Sequence, residues 1–291
     1  MAEPTEKNLL ERFLSLFTRV QPGEGFAALL LAANVFLLLA CYYILKTVRE
    51  PLILASGSAE LKAYAAAAQA ALLFVVIPVY GWIASRMDRM RFIGVSTLFF
   101  VATLLGFYLL VQANAGVGFT FYIWLGIFNV FVVAQFWSFA NDLYSEEAGK
   151  RLFPIIGVGA SLGAWAGSVF AEQLFDELLV KGMMPLAGAG LLVYLGLTWV
   201  VNRRFGAQAR LQGKDDQSKA PLGKEGGFEL VWKNRYLRLI AMLVLLLNVV
   251  NTTGGYILDR MLLASLDTLA AAAGPNAGHD VIIGRFYGSF F

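Results

Sequence analysis

Side chains able to handle a charged solute fall into three groups along this chain. Tyr42, Lys46, Arg49 and Glu50 stand at i, i+4, i+7 and i+8, so a helix that continues to Pro51 carries them on one face. Two cations one turn apart suit an anion if they face a cavity, and snorkel to interfacial water if they do not. Both readings are open at this point. Gln135, Ser138 and Asp142 repeat at i, i+3 and i+7 with Asn141 beside them, a polar face pointing into a bundle interior. Asn248, Asn251, Thr252 and Thr253 precede Gly254 and Gly255 in an apolar stretch. Such groups are expensive in lipid and sensible along a water-filled cavity, helix-helix contact being the alternative. Nucleophilic and metal chemistry has little to work with, since Cys41 and His279 are the sole cysteine and histidine. Disulfides, zinc sites and Cys/His dyads are excluded. The adjacent acids Glu146 and Glu147 read as helix capping rather than as a catalytic pair. No catalytic residue, metal or cofactor is expected, and the chain does not read as an enzyme.

The elements that must hold these groups are membrane helices. Hydrophobic residues make up 58% of the 291 and charged ones 15%, with mean hydropathy +0.66. A soluble domain carries nearer a quarter charged residues, so this composition has no soluble core large enough to hide it. A helix needs about 20 apolar residues to cross the hydrocarbon. Seven segments qualify, at about 26–45, 64–84, 92–111, 119–140, 152–171, 183–201 and 239–258. An eighth begins at Val281 and runs into Phe291, which reads as the start of an interrupted span in a truncated chain.

Lysine and arginine distribution sets the expected orientation. With the N-terminus inside, 17 of the 23 basic residues lie in cytoplasmic segments, leaving Lys46, Arg49, Lys62, Lys181, Arg260 and Arg285 outside or buried. The net charge of +3 therefore reports topology, and no basic stripe with interleaved aromatics points to nucleic acid. Residues 6–20 are amphipathic and are expected to lie flat on the cytoplasmic surface. The expected layout is a surface helix in 1–24, a six-helix bundle in 25–201, a polar cytoplasmic linker in 202–234 and the start of a second bundle in 235–291.

The segment from Gly81 through Ser85, Arg86, Asp88, Arg89 and Arg91 resembles the loop between the second and third helices of major facilitator proteins. There a glycine, an acid and several basic residues join neighbouring helices; here Ser85 stands in the acid's place and Asp88 in a glycine's. A plain positive-inside loop is the equal alternative. Gly159, Gly163 and Gly167, four apart, form a smooth stripe for close backbone contact, similar to the gating helix of facilitators and equally compatible with simple tight packing.

Two longer stretches resemble the ATP/ADP translocase family. One is Tyr43-Ile-Leu-Lys46-Thr-Val-Arg49-Glu50-Pro-Leu-Ile-Leu. The other runs from Phe136 through Asn141, Glu146, Glu147, Lys150 and Arg151 to Gly157, Gly159 and Ala160. The resemblance implies an all-α polytopic exchanger with Lys46, Arg49 and Glu50 at the binding region. It also implies that the connection carrying Glu147 and Lys150 takes part in substrate handling or gating. The sequence thus leads to an all-α facilitator-type carrier in the inner membrane, its partners the lipid bilayer and a small anionic solute, with nucleotide the leading candidate. Alternating access is the expected mechanism, and exchange is favoured over proton coupling because the first six spans carry no acid in their central turns. A non-nucleotide carrier and a transport-inactive scaffold or sensor are the alternatives.

Overall fold

A computed structural model describes residues 9–15, 18–54, 58–211, 231–273 and 278–290. Most of the expected linker, at 212–230, and much of the expected surface helix, at 1–8 and 16–17, lie outside the described residues. Every regular element among the described residues is helical: α1 (Leu9–Leu14), α2 (Gly25–Leu54), α3 (Ala59–Ala84), α4 (Arg89–Gln112), α5 (Gly118–Leu143), α6 (Glu146–Leu211), α7 (Arg235–Ala273) and α8 (His279–Phe290). Seven lengths are long and apolar enough to cross a membrane, α6 contributing two, Glu146–Phe175 (α6a) and Glu177–Gly206 (α6b). The chain is a polytopic all-α membrane protein, as the composition requires. Its outer surface carries large apolar side chains such as Phe74, Phe99, Trp165, Val193 and Met242, a pattern that suits lipid and not water.

Expected and observed spans agree in number and differ at their ends. At 30 residues, α2 reaches about 45 Å, beyond the ~30 Å of hydrocarbon, which lets its last turns leave the lipid while remaining helical. Residues 172–182 separate the fifth and sixth expected spans. There α6 runs through with a single break at Leu179, whose φ of 52° and ψ of −173° turn the axis. A helix satisfies its own backbone in water as well as in lipid, so polar side chains do not end it. The amphipathic N-terminal segment is helical only over Leu9–Leu14 among its described residues. Glu11, assigned from periodicity to the polar face, is buried, and its carboxylate accepts the Gly23 N–H at 2.6 Å, because the chain folds back over α1.

Both arms of α6 embrace α2, the most buried helix. On one side Gly159, Gly163 and Gly167 of α6a lie against the backbone of Ala32, Phe36 and Ala40, so close that a Cβ at any of them would overlap it. On the other, the buried Asn34 amide donates to Tyr194 O at 3.2 Å and to Thr198 Oγ1 at 3.0 Å on α6b. The α4–α5 pair is filled by aromatic rings, Trp124 stacking with Phe128 and Phe121 and donating its Nε1–H to Thr103 Oγ1 at 2.9 Å. By contrast α7 touches the rest of the fold along α3 and α8, and most of its length is exposed.

Candidate functional site

The last turns of α2 carry the densest charge in the fold. Glu50 is fully buried, and its Oε1 accepts from the Arg49 guanidinium. Its Oε2 lies 2.7 Å from Lys62 Nζ of α3, an ion pair whose angles fall outside hydrogen-bond geometry. Lys62 in turn donates to Asp259 Oδ1 of α7 at 2.8 Å, and the Tyr287 hydroxyl of α8 donates to the same oxygen. Asp259 is 2% exposed. Beneath Arg49 lies the ring of Tyr122, 4.4 Å from the guanidinium carbon. Tyr122 is held there because Gly118, one turn earlier on α5, lets that helix meet the backbone of Leu52 and Ile53. Lys46 follows one turn below Glu50, its ammonium 4.9 Å from the Tyr43 ring. Alongside, Glu60 pairs with Arg260 at 3.2 Å and accepts from Tyr256 at 3.1 Å.

Four helices and the start of α5 thus converge on one ionic cluster. Desolvating a buried ion costs several kcal/mol, and a single opposite charge rarely offsets it. Glu50 has two cationic partners and Lys62 two anionic ones, which is the arrangement that keeps such groups charged. Within the ion pairs Arg49 and Lys62 balance Glu50 and Asp259, 2 − 2 = 0, and Lys46, one turn away on α2, adds a positive charge beside them. Arg49 is largely covered by the fold, paired with the fully buried Glu50.

Other expected residues are placed elsewhere. Gln135 is 2% exposed and exchanges hydrogen bonds with Ser96 of α4 at 2.8 and 2.9 Å. Ser138 accepts from Arg89, and Asp142 pairs with Arg89 Nε at 3.1 Å. The polar face of α5 therefore clasps α4, while Asn141 is exposed beside it. Asn248 bonds the Val244 carbonyl of its own helix at 2.8 Å, and Asn251 is exposed, with open space at Gly254 and Gly255. Neither is brought to the ionic cluster, because both lie in the N-terminal half of α7, which is exposed, and the helix becomes buried only from Asp259 on. In the facilitator-like loop, Gly81 lies on an open face, with nothing within 4 Å of a Cβ there. Arg86 stacks on Trp82 at 3.8 Å and Asp88 faces Arg91 at 3.7 Å, so Arg89 alone of that loop's named residues ties α4 to α5. Glu147 and Lys150 are exposed in the first turn of α6, Lys150 pairing with Glu146 at 2.7 Å.

Three participants were missed in the sequence, Lys62, Asp259 and Tyr287. The signal was present, since Asp259 and Arg260 interrupt the apolar run of α7 and a buried Glu50 demands partners. The interval 239–258 stopped one residue short of Asp259.

Arg151 makes a second, smaller junction at the opposite end of α2. Its guanidinium bonds both Glu24 oxygens at 2.9 Å and the Arg19 carbonyl at 2.5 Å, while its own carbonyl accepts from Thr18 at 2.8 Å. Partial burial of Glu24 works against ionisation, but the Arg151 guanidinium and the Gln21 N–H outweigh it and hold the carboxyl below its usual 4.5. A depressed folded value means stability that is complete above pH 4.5 and lost as pH falls through the lower folded value. Proteolysis within 18–24 is expected to accelerate only below pH 4.5 in the parent. In Arg151→Gln it should be fast at neutral pH and nearly independent of pH; a parent whose cleavage is equally fast at pH 7 would contradict the clasp.

Lipid-length helices around a buried ionic cluster define a multi-pass membrane protein with charge held inside its bundle. Residues 117–253, from the start of α5 into α7, match the family described as TLC ATP/ADP transporter. A chloroplastic ADP,ATP carrier protein 1 of Arabidopsis thaliana is 28% identical over 130 residues, covering 40% of this chain and 20% of that relative. The likeness to the ATP/ADP translocase family read from the sequence is borne out by both. The match spans about a fifth of the relative's length, and Lys46, Arg49 and Glu50 precede the family segment. No solved structure matches the chain.

Proposed function

We propose that this protein is a secondary carrier that exchanges nucleotides across a membrane. In this reading it is of the facilitator type, its N-terminus lies on the cytoplasmic side of the inner membrane, and its mechanism is alternating access. The observation that carries the proposal is the buried Arg49–Glu50 pair, with Lys46 one turn before it and Lys62 and Asp259 joining from two other helices. An excess positive charge inside an apolar bundle suits a phosphate chain, which accepts charge-assisted hydrogen bonds from ammonium and guanidinium groups. The family match of the following helices supplies the nucleotide.

Mechanistically, the Glu50–Lys62–Asp259 chain closes one end of the bundle by tying α2 and α3 to α7. An arriving phosphate competes with Glu50 and Asp259 for the same cations, so substrate binding loosens the closure and couples occupancy to movement. Like-charged exchange leaves the cations compensated at each stage, which favours exchange over net export. A non-nucleotide anion carrier is the second reading, favoured by the position of the cationic turn ahead of 117–253. Direct binding decides between them. Labelled ADP should bind the purified protein and be displaced by ATP but not by sugars or amino acids, with Lys46→Gln weakening it about tenfold. ADP binding no tighter than that of a sugar phosphate would overturn the nucleotide assignment.

A further inference from the structure

A groove that takes no part in the carrier reading lies between the start of α4 and α6b. Arg91 and Gly94 form one wall, Leu192, Leu195, Gly196 and Trp199 the other, around a volume of about 580 Å³. Leu192, Leu195, Gly196 and Trp199 share one face over two turns, giving the groove a length of roughly 10 Å along the bundle. Its width comes from the two glycines, since a Cβ at Gly94 or Gly196 would meet nothing within 4 Å.

Polarity along the groove is ordered. Along α6b the groove wall runs from Leu192 through Leu195 and Gly196 to the half-exposed Trp199, and Arg203, one turn further on, stacks over the Trp199 ring at 5.1 Å. Arg91 stands opposite, its side chain 80% exposed and 3.7 Å from an equally exposed Asp88, a separation at which a solvated pair contributes little. Two guanidiniums against one carboxylate leave one positive charge in excess, 2 − 1 = 1. An apolar stretch, then a tryptophan, then a cationic end follow the profile of a glycerophospholipid from acyl chain to headgroup. We infer that this groove binds an anionic phospholipid, one acyl chain over Gly94, Gly196 and Leu192, and its phosphodiester between Arg91 and Arg203. Guanidinium forks match phosphate oxygens bidentately, and the excess charge favours a headgroup of net charge −1 over a zwitterionic one.

The test is native mass spectrometry of the purified protein titrated with phosphatidylglycerol, phosphatidylcholine, diacylglycerol and glycerol phosphate. Phosphatidylglycerol should occupy a saturable site about tenfold more tightly than phosphatidylcholine, and neither diacylglycerol nor glycerol phosphate should saturate it. Filling the groove in Gly94→Leu/Gly196→Leu should remove the site while the thermal midpoint stays unchanged, because both side chains enter open space. Arg91→Gln/Arg203→Gln should abolish the preference over phosphatidylcholine, whereas Arg12→Gln, which removes a charge elsewhere, should not. Equal phosphatidylglycerol affinity in the filled-groove variant, or equal affinity of parent protein for both phospholipids, would overturn the inference.

Discussion

Glu50→Gln is expected to lose exchange activity and about 3 kcal/mol of stability, the largest effect of any single polar substitution at the cluster. The carboxylate is fully buried and compensates both Arg49 and Lys62. Glutamine keeps the shape but leaves two cations with only Asp259 between them, and an uncompensated buried charge costs far more than a neutral pair. The effect should be partly reversed by removing a cation as well. Glu50→Gln/Arg49→Met is expected to regain a good part of the lost thermal midpoint without regaining activity, since it removes the cation left without an anion and keeps the Lys62–Asp259 pair. That split separates charge balance from the closure itself. A Glu50→Gln protein as stable as the parent in detergent would mean that the cluster is solvated, and its role in closing the bundle would fall with it.

Gly163→Leu is expected to prevent the bundle from forming. At this position a Cβ overlaps the backbone of Phe36, and backbone cannot swing aside as a side chain can. Even Gly163→Ala should cost about 2 kcal/mol, within the range of overpacked cores, and leucine should exceed what a membrane domain tolerates. Gly157, on the same helix arm, has nothing within 4 Å of a Cβ. Gly157→Ala should therefore be neutral to within about 0.5 kcal/mol. Folded yield by size-exclusion chromatography checks the pair. Because α2 carries Lys46, Arg49 and Glu50, a milder stripe variant that folds should also shift nucleotide affinity. Equal yields from Gly157→Ala and Gly163→Leu would show that the stripe is not a tight contact.

Much of the fold was legible because lipid imposes one rule on the backbone. Runs of apolar residues near 20 long have only the helix available, so seven spans could be counted from hydropathy, and seven are found among the described residues. Helix ends were less legible, since nothing in that rule stops a helix at the interface; α2 continues to Leu54 and α6 turns at Leu179 instead of opening a loop. The glycine stripe was legible as a contact, but the sequence could not name Ala32, Phe36 and Ala40 as its partners. Of the ionic cluster, the local part, Lys46, Arg49 and Glu50, follows from spacing on one helix. Lys62 and Asp259 are 197 residues apart, and no local pattern pairs them. The polar faces of α5 and α7 show the same limit from the other side. Periodicity identifies a polar face, but whether it meets a neighbouring helix, as Gln135 meets Ser96, or stays open, as at Asn251, depends on packing.

Counterflow in proteoliposomes tests the central claim most directly. Vesicles loaded with unlabelled ADP should accumulate labelled ATP saturably in the presence of the parent protein, with empty vesicles and Glu50→Gln reduced to background and Lys46→Gln half-saturating at about tenfold higher ATP. Loaded vesicles that accumulate no ATP above protein-free controls, or that accumulate it equally with Glu50→Gln, would contradict a carrier built on this cluster.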